Sequence, residues 1–488
     1  MIIVGAGNAA LTAALAAHQQ GAKVLVLESS PKELRGGNSR FSGGIFRFAH
    51  SGMDHVAPLL VDEARHWTDK VELDGYEPDR FRGDLDLVCE SRSDRDLLNQ
   101  LIGRSYDTVA WMQKLGVRWE LVVDKLFDPS KFDPNETYIL PAGGAVRAVN
   151  EGVGLMYDLF EAAEKAGIEI RYDSPAQELL MDGSTCVGVK VRHLSGFEDI
   201  RGSVVLASGG FESNPAMRLQ YLGTGWDLVK VRGTRFNMGT MLVQALGAGA
   251  APAGHWGGAH ASPLDASAPT TGELSLTDRL SRYSYPYSLL VNRRGERFVD
   301  EGEDEVWLTY AKTGWAIREQ PSAAGYQIFD QKTIDLLEPR YATGTPVEAS
   351  SLTDLAQKLG ISAEGLERTV RQFNDATREG KFLPFEKDGL SARPEGQPPK
   401  SNWAQPLDKP PYVCYPVVCG ITFTYGGLHI DAQSRVLDTE GRVMPNLYAT
   451  GEIAGGFFFH NYAAGSGLMR GAVFGKLSGE QAVADLRS

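Results

Sequence analysis

The chain opens on an apolar run, Met1 to Val4, followed at once by the small residues Gly5-Ala6-Gly7-Asn8-Ala9-Ala10 and then by an alanine-rich stretch ending near Gln20. A short apolar run bounded by glycines predicts a buried strand, and the alanine-rich stretch after it predicts a helix. Lys23 to Leu27 is a second apolar run and ends in Glu28. Farther on, Gly152 to Ala166 has the apolar spacing of a helix, while Ile168 to Tyr172, Cys186 to Arg192 and Ser203 to Ala207 read as strands. Helices and strands therefore alternate, which predicts an α/β fold of Rossmann-like character.

From Gly254 to about Val413 the pattern changes. Continuous apolar strands thin out, aromatic residues become frequent, and Leu352 to Thr377 is an amphipathic helical stretch. This predicts an inserted α+β capping domain at 254-413 that interrupts a first domain, with its parts at 1-253 and 414-488. Lys381 to Pro416, rich in proline and polar residues, is expected to be the exit linker. Strand-like sequence returns with Gly426 to Asp431 and with Asn446 to Ala449, which runs into Gly451-Glu452, and Gly465-Ser466-Gly467-Leu468 opens a final helix.

The first elements carry a specific chemistry. Gly5, Gly7 and Ala10 form G-x-G-x-x-A between strand and helix. Gly5 permits the tight turn, Gly7 lets the backbone approach a pyrophosphate, and Ala10 lets the helix lie close to the strand while its N-terminus faces the anion. Glu28 stands where an acid bonds a ribose 2′-hydroxyl, which disfavours a 2′-phosphate. Val204 to Leu206 runs into Ala207-Ser208-Gly209, a strand ending in small residues where a cofactor can lie against bare backbone. Gly247-Ala248-Gly249-Ala250 imitates a second phosphate turn, but it follows a helical run and reads as a helix stop. A built-in nicotinamide site is therefore not expected.

Composition narrows the partners. The net charge is -13 over 488 residues, without a basic run, so a nucleic-acid surface is not expected. The mean hydropathy is -0.23 and no apolar stretch approaches the length of a membrane span. The four cysteines, Cys89, Cys186, Cys414 and Cys419, have neither C-x-x-C nor ferredoxin spacing, so no metal site is predicted. With the cofactor strand first in the chain and no targeting segment before it, a reduced, cytoplasmic setting is expected.

Together these segments resemble the fumarate reductase/succinate dehydrogenase flavoprotein superfamily over nearly the whole chain. GGNSRFSGGIFR (36 to 47), VRGTRFNMGT (231 to 240), LLVNRRGERFVDEG (289 to 302), TYAKTG (309 to 314) and FFHNYAAGSGLMRGAVFGK (458 to 476) are most similar to the tricarballylate dehydrogenase family. The resemblance implies FAD in a discontinuous domain beneath a mobile capping domain. It implies that Gly5, Gly7, Ala10 and Glu28, with Asn8 and Ala9, hold the ADP half. Gly36, Gly37, Asn38, Ser39, Ser42, Gly43 and Gly44 would lie near the flavin, and Glu452, after Gly451, near the ribityl chain. Ala176, Ala207, Ser208, Gly209, Asn237 and Gly239 would complete the seat. Ser466, Gly467 and Leu468, at a helix N-terminus, would face flavin N1 and O2, where the helix dipole favours the reduced anion. Covalently flavinylated members carry histidine in the region of Asn38, so the FAD is expected to be non-covalent.

The substrate side departs from the best-known members. Fumarate-reducing members place a proton-shuttling arginine shortly after R-F-V-x-E, where this chain reads Glu301-Gly302-Glu303-Asp304-Glu305-Val306-Trp307, an acidic run expected to be a solvated face. They place a substrate-binding arginine where Tyr462 follows Asn461, and His460-Asn461-Tyr462 is similar to the terminal motif of 3-ketosteroid dehydrogenases. No counterpart of their substrate-carboxylate histidine occurs in Gly420 to Gly427. The catalytic candidates are Tyr462, His260, Tyr310 and Arg232, with His255 and Arg470 as further polar groups. Arg470 reads equally as an exposed cation, and the glycine-flanked HWGGAH suggests an open surface around His260.

The expected activity is FAD-dependent oxidoreduction of a CH–CH or C=C bond next to a carboxylate or carbonyl, tricarballylate dehydrogenase-like, with an external acceptor such as a quinone, a redox protein or oxygen. A ketone or enone dehydrogenase or reductase of the ketosteroid type is the alternative. A non-enzymatic flavin-binding electron-transfer component is a third reading.

Overall fold

A computed structural model describes residues 1–124, 129–135, 137–384 and 386–487. The opening strand, Ile2–Val4, lies inside a six-stranded sheet in the order Arg435–Leu437, Val443–Ala449, Val204–Leu206, Ile2–Val4, Leu25–Leu27, Glu169–Arg171. Its central pairings are parallel, Ile3 lying beside Val205 on one side and Val26 on the other, and only the edge strand Arg435–Leu437 runs antiparallel. All three residues of Ile2–Val4 and of Val204–Leu206 are buried, so the short strands read as unbroken apolar runs. The mixed α/β class expected from the alternation is the class observed.

Two helices converge on this sheet. Asn8–Gln19 follows the glycine turn, and Ser466–Arg487 packs along it from the other end of the chain. Small residues set their separation: a Cβ on Gly475 would lie 2.5 Å from the Ala9 carbonyl oxygen, and one on Gly479 2.3 Å from that of Ala13. The final helix is thereby held against the phosphate turn. No described helix is long and apolar enough to cross a membrane.

The second large sheet is organised around one long strand, Tyr412–Thr424. Ala259–Asp265, Ala324–Phe329 and Val347–Ala349 pair with it antiparallel, Lys230–Val231 pairs parallel, and Leu289–Val291 joins through Ala324–Phe329. Tyr412 to Pro416, expected as the end of a linker, is therefore strand. Its apolar side chains fill the core, and Pro416 lies opposite Tyr326. The single amphipathic stretch expected over Leu352 to Thr377 is two helices, Leu352–Leu359 and Ala363–Ala376. Gly360 at φ +67° ends the first, and the Ser362 hydroxyl caps the second by accepting from Gly365 N–H.

The acidic run is a solvated face only in part: Glu303 and Glu305 are exposed and Asp304 is half-buried, but Glu301 is not on the surface. Glu301 is 1% exposed, accepts from Leu290 N–H and lies against the Arg297 guanidinium. Glu303 pairs with Lys312 and Asp304 with Lys387.

Candidate active site

One continuous cavity begins at the phosphate turn and ends among the aromatic side chains between the two sheets. At the turn, Gly5 has φ +107°, and a Cβ there would sit 2.4 Å from the Ala207 carbonyl oxygen. Gly7 differs, because a Cβ on it would meet nothing closer than Ser39 Oγ at 3.5 Å. The protein's own packing does not require glycine there, so the free space belongs to the cavity. Asn8 N–H donates to Ser39 Oγ at 3.1 Å and Asn8 Nδ2 to the Leu468 carbonyl at 2.8 Å, which ties the turn to the final helix. Asn8 Oδ1 is buried without a partner among the described residues. Glu28 is 6% exposed and accepts from Ser30 N–H at 2.8 Å. Burial raises its pKa, opposed by the hydrogen bonds from Ser30 and Ser29.

The middle of the cavity rests on a polar cluster from five separate segments. Asn38 Nδ2 donates to Glu212 Oε1 and to the Thr422 carbonyl, both at 2.6 Å, and its Oδ1 accepts from Thr234 N–H at 2.9 Å. Asn237 Nδ2 also donates to Glu212 Oε1 at 2.6 Å and reaches Glu452 Oε2 at 3.4 Å. Glu452 Oε1 accepts from the backbone and hydroxyl of Thr424. Glu212 is fully buried, Glu452 is partly buried, and the two face each other. Burial and then the Glu452 charge push Glu212 well above the usual carboxylate range, and burial raises Glu452. Two adjoining carboxylates in this setting oppose each other's ionisation.

At the far end His260, Tyr310 and Tyr462 meet around Phe423. His260 stacks on Phe423 with ring centroids 5.0 Å apart and lies edge-on to Tyr310 at 5.0 Å and Tyr462 at 4.8 Å. It occupies the strand Ala259–Asp265 and is 2% exposed, so the open surface expected around it is not what the fold builds. Burial, and then the Arg232 charge, hold its pKa well below the ordinary histidine value, and its Nδ1 has no partner among the described residues. Burial raises both tyrosines.

Tyr462 is committed in an unexpected direction. The N–H of Gly467 donates to the Tyr462 hydroxyl oxygen at 2.9 Å. One of the backbone donors expected to face a flavin therefore already has a partner, and the tyrosine hydroxyl retains its own proton to donate. Arg232 is also engaged: its guanidinium binds Asp278, Ser281 Oγ and Thr422 Oγ1. Arg470 is not the exposed cation its helix position suggested. It is 3% exposed, and its guanidinium lies over Phe458, Phe457 and Phe423 at 4.9, 5.3 and 5.6 Å.

All four catalytic candidates line this cavity, as do Gly5, Gly7, Asn8, Ala9, Glu28, Gly37, Asn38, Ser39, Ser42, Gly43, Ala176, Ala207, Ser208, Gly209, Asn237, Gly239, Gly451, Glu452, Gly467 and Leu468. Four residues lie behind the wall. Ala10 is fully buried in the first helix, Gly36 packs on Arg40 and Met156, Gly44 packs on the Glu151 backbone, and the Ser466 hydroxyl donates to the Ala463 carbonyl. His255 is not on the cavity wall; it accepts from His460 N–H. Asp278, Tyr283, Trp307, Thr422 and Phe423 line the cavity without having been singled out, and Glu212 supports it from behind. Of these, Thr422 and Phe423 lay in Gly420 to Gly427, the segment noted for lacking a substrate histidine, and Trp307 closed the acidic run after Glu301.

Comparison with known proteins places the chain in a family. A family model described as an FAD binding domain matches residues 1–468. The chain is 28% identical over 492 residues to fumarate reductase (cytochrome) of Shewanella frigidimarina, covering 99% of this chain and 76% of that protein. It is 28% identical over 369 residues to 3-oxosteroid 1-dehydrogenase of Mycobacterium tuberculosis, covering 68% of this chain and 62% of the other. Among solved structures, 3-ketosteroid Δ1-dehydrogenase from Sterolibacterium denitrificans has the same fold, with a TM-score of 0.74 at 20% identity over 99% of each chain.

Proposed function

Because the chain belongs to the FAD binding domain family, we propose that the cavity seats FAD along its length and that His260, Tyr310 and Tyr462 work on a small substrate at its far end. The protein is an FAD-dependent oxidoreductase acting on CH–CH or C=C bonds. The finer reading is a reacting bond next to a carbonyl or carboxylate.

The residues fit the cofactor. Gly7 leaves room where a pyrophosphate approaches backbone, and the turn opens directly into a helix N-terminus whose N–H groups face that space. Gly5, Gly7, Asn8 and Glu28 would hold the adenosine diphosphate half, and Asn38, Ser39, Gly43 and Glu452 the flavin half. Asn38 is saturated by Glu212, Thr422 and Thr234, which supports non-covalent binding. We propose the same division of the chain as its sequence implies: 1-253 and 414-488 for FAD, 254-413 over the substrate. When bound, FAD supplies the acceptor or donor of a hydride, and the protein supplies orientation and electrostatics.

The observation that carries the reading is the free proton of the Tyr462 hydroxyl. With its oxygen accepting from Gly467 N–H at the start of a helix, the group is polarised as a donor toward a carbonyl oxygen. A carbonyl so held makes its neighbouring carbon more acidic. Burial keeps Tyr310 and Tyr462 protonated, so both donate. His260, uncharged and with Nδ1 uncommitted, is the group able to take up a proton. Tricarballylate, the substrate of the family those sequence motifs resemble, has three carboxylates. Among the described cavity residues Arg232 is already neutralised by Asp278, which favours a substrate carrying less charge. Electrons would leave to an external acceptor, a quinone, a redox protein or oxygen.

The test is anaerobic mixing of the FAD-loaded protein with a panel of saturated ketones and carboxylic acids, following loss of the visible flavin band. Reoxidation of the reduced protein by the matching enones and enoates covers the opposite direction. Rapid bleaching or reoxidation by any member supports the reading. A flavin that responds to none of them in either direction would sink it.

A further inference from the structure

Among the described residues, the cavity wall carries one cation that the protein itself does not neutralise. Arg470 is 3% exposed, its Nε is buried without a partner, and no hydrogen bond or ion pair joins its guanidinium to another described residue. The other strongly buried arginines with ion pairs are matched: Arg47 with Asp84, Arg232 and Arg340 with Asp278, Arg282 with Asp265, Arg297 with Glu301. Arg218, whose Nε is likewise unpartnered, donates through its other nitrogens to the carbonyls of Val229 and Asp227 and does not line the cavity. Arg470 therefore differs in kind, and it is on the cavity wall.

A guanidinium held out of water without a counter-charge is destabilising unless something in the working protein meets it. The phenylalanine faces around it offer only the weak attraction of a ring quadrupole. Glu452 is the carboxylate whose charge acts on it, but the two are not in ion-pair contact, and Glu452 spends its oxygens on Thr424 and on the cluster with Glu212. The hydroxyls of Tyr462 and Tyr425 complete its surroundings. Burial lowers the guanidinium only to about 10, so it stays charged at neutral pH.

We propose that Arg470 is the substrate's anion receptor and that the substrate is a monocarboxylate with a flat, apolar body. This rests on the reading of the cavity as a flavoenzyme active site. A carboxylate matches the planar fork of a guanidinium. The body of such a substrate has an aromatic enclosure in Phe423, Tyr310, Tyr462, Tyr283 and Trp307, and Arg232 offers no second free charge because Asp278 holds it. A dicarboxylate or tricarboxylate would bring anionic groups that no further unpaired guanidinium or ammonium on the described wall receives.

The experiment uses oxidised, FAD-loaded protein with benzoate as probe and benzamide as its neutral isostere, binding being read from the perturbation of the visible flavin spectrum. Wild type is expected to prefer benzoate by about 10- to 100-fold, the range of a charge-assisted contact. Arg470→Met should abolish the preference, and Arg470→Lys should restore part of it. The flavin midpoint potential of each variant is measured alongside. An unchanged preference for benzoate in Arg470→Met overturns the proposal. So does a large shift in midpoint potential with the preference intact, which would assign the cation to the reduced cofactor. If Arg470→Met retains no FAD, Arg470→Lys decides alone: a benzoate preference unaltered from wild type refutes, and a weakened one supports. Flavin reduction by a neutral ketone but by no monocarboxylate would overturn this inference while leaving the proposed oxidoreductase function standing.

Discussion

At the scale of single residues, the site works through groups whose usual behaviour burial has altered. Tyr462 is the sharpest case, since its oxygen is occupied by Gly467 N–H and its proton is free. Tyr462→Phe is expected to slow substrate-dependent flavin reduction by about 10- to 100-fold, the worth of a donor to developing negative charge, with FAD content unchanged. Stopped-flow reduction under anaerobic conditions reads this, and an unaltered rate would remove the hydroxyl from the chemistry. Glu212 makes a different prediction. Its folded pKa lies well above the usual 4.5, because burial and the Glu452 charge favour the protonated form. A group raised in this way contributes stability that is present below 4.5 and is lost as pH rises through the folded value. Glu212→Gln keeps an acceptor for Asn38 and Asn237 and donates permanently toward Glu452. Its Tm should therefore fall less than that of wild type between neutral and alkaline pH, as thermal melts across that range would reveal. A parallel decline in both proteins would mean that Glu212 is already ionised in the fold.

Elements explain which parts of this were legible beforehand. The opening strand, turn and helix could be read because each residue does one local job: Ile2 to Val4 are buried, Gly5 turns, and the helix follows immediately. Tyr412–Thr424 could not be read as one strand, because Pro416 and Gly420 interrupt the apolar pattern and what holds the strand is pairing with four partners distant in sequence. Arg470 was ambiguous for a similar reason. Its surroundings, Phe423 and Phe457-Phe458, come from other elements, although its helix neighbours Met469 and Ala472-Val473-Phe474 are apolar and buried and were a signal the position alone did not use. Two glycines separate local from tertiary constraint experimentally. Residue 7 has extended backbone, φ -83° and ψ -174°, that any residue adopts, and a Cβ there meets no close neighbour. Gly7→Val should therefore leave the FAD-free melting temperature nearly unchanged and abolish FAD retention, because the branched side chain fills the pyrophosphate approach. Full flavin content in that variant would refute the assignment of the turn. Gly479 is the reverse, with the Ala13 carbonyl 2.3 Å from where a Cβ would stand. Gly479→Ala should destabilise the fold by about 1–3 kcal/mol, because the two helices must move apart. Urea unfolding of the FAD-free variant at an unshifted midpoint would show that they are not locked together.

For the molecule as a whole, the cavity has no single owner. Its wall runs from Val4 in the first strand to Gly471 in the last helix, passing through Ala207, His260 and Tyr310 on the way. The strands that end at the cavity lie side by side in one sheet although some two hundred residues separate Val4 from Leu206, and the final helix closes over the first. A ligand filling this space therefore bridges segments that would separate on unfolding, and it binds the native state in preference to the unfolded one. Linkage then fixes the sign of its effect: FAD at 100 times its dissociation constant should add about 2.7 kcal/mol to the free energy of unfolding. Stripping FAD should lower Tm, and adding FAD back should restore it in a concentration-dependent way. The Gly7→Val protein should show the lower Tm at every FAD concentration, since its fold is intact and its binding is not. The comparison separates two origins of a stability loss, because a Tm that rises with FAD in wild type but not in Gly7→Val can come only from occupancy of the cavity. A wild-type Tm indifferent to FAD would contradict native-state binding outright, since no ligand can occupy the folded form selectively without stabilising it.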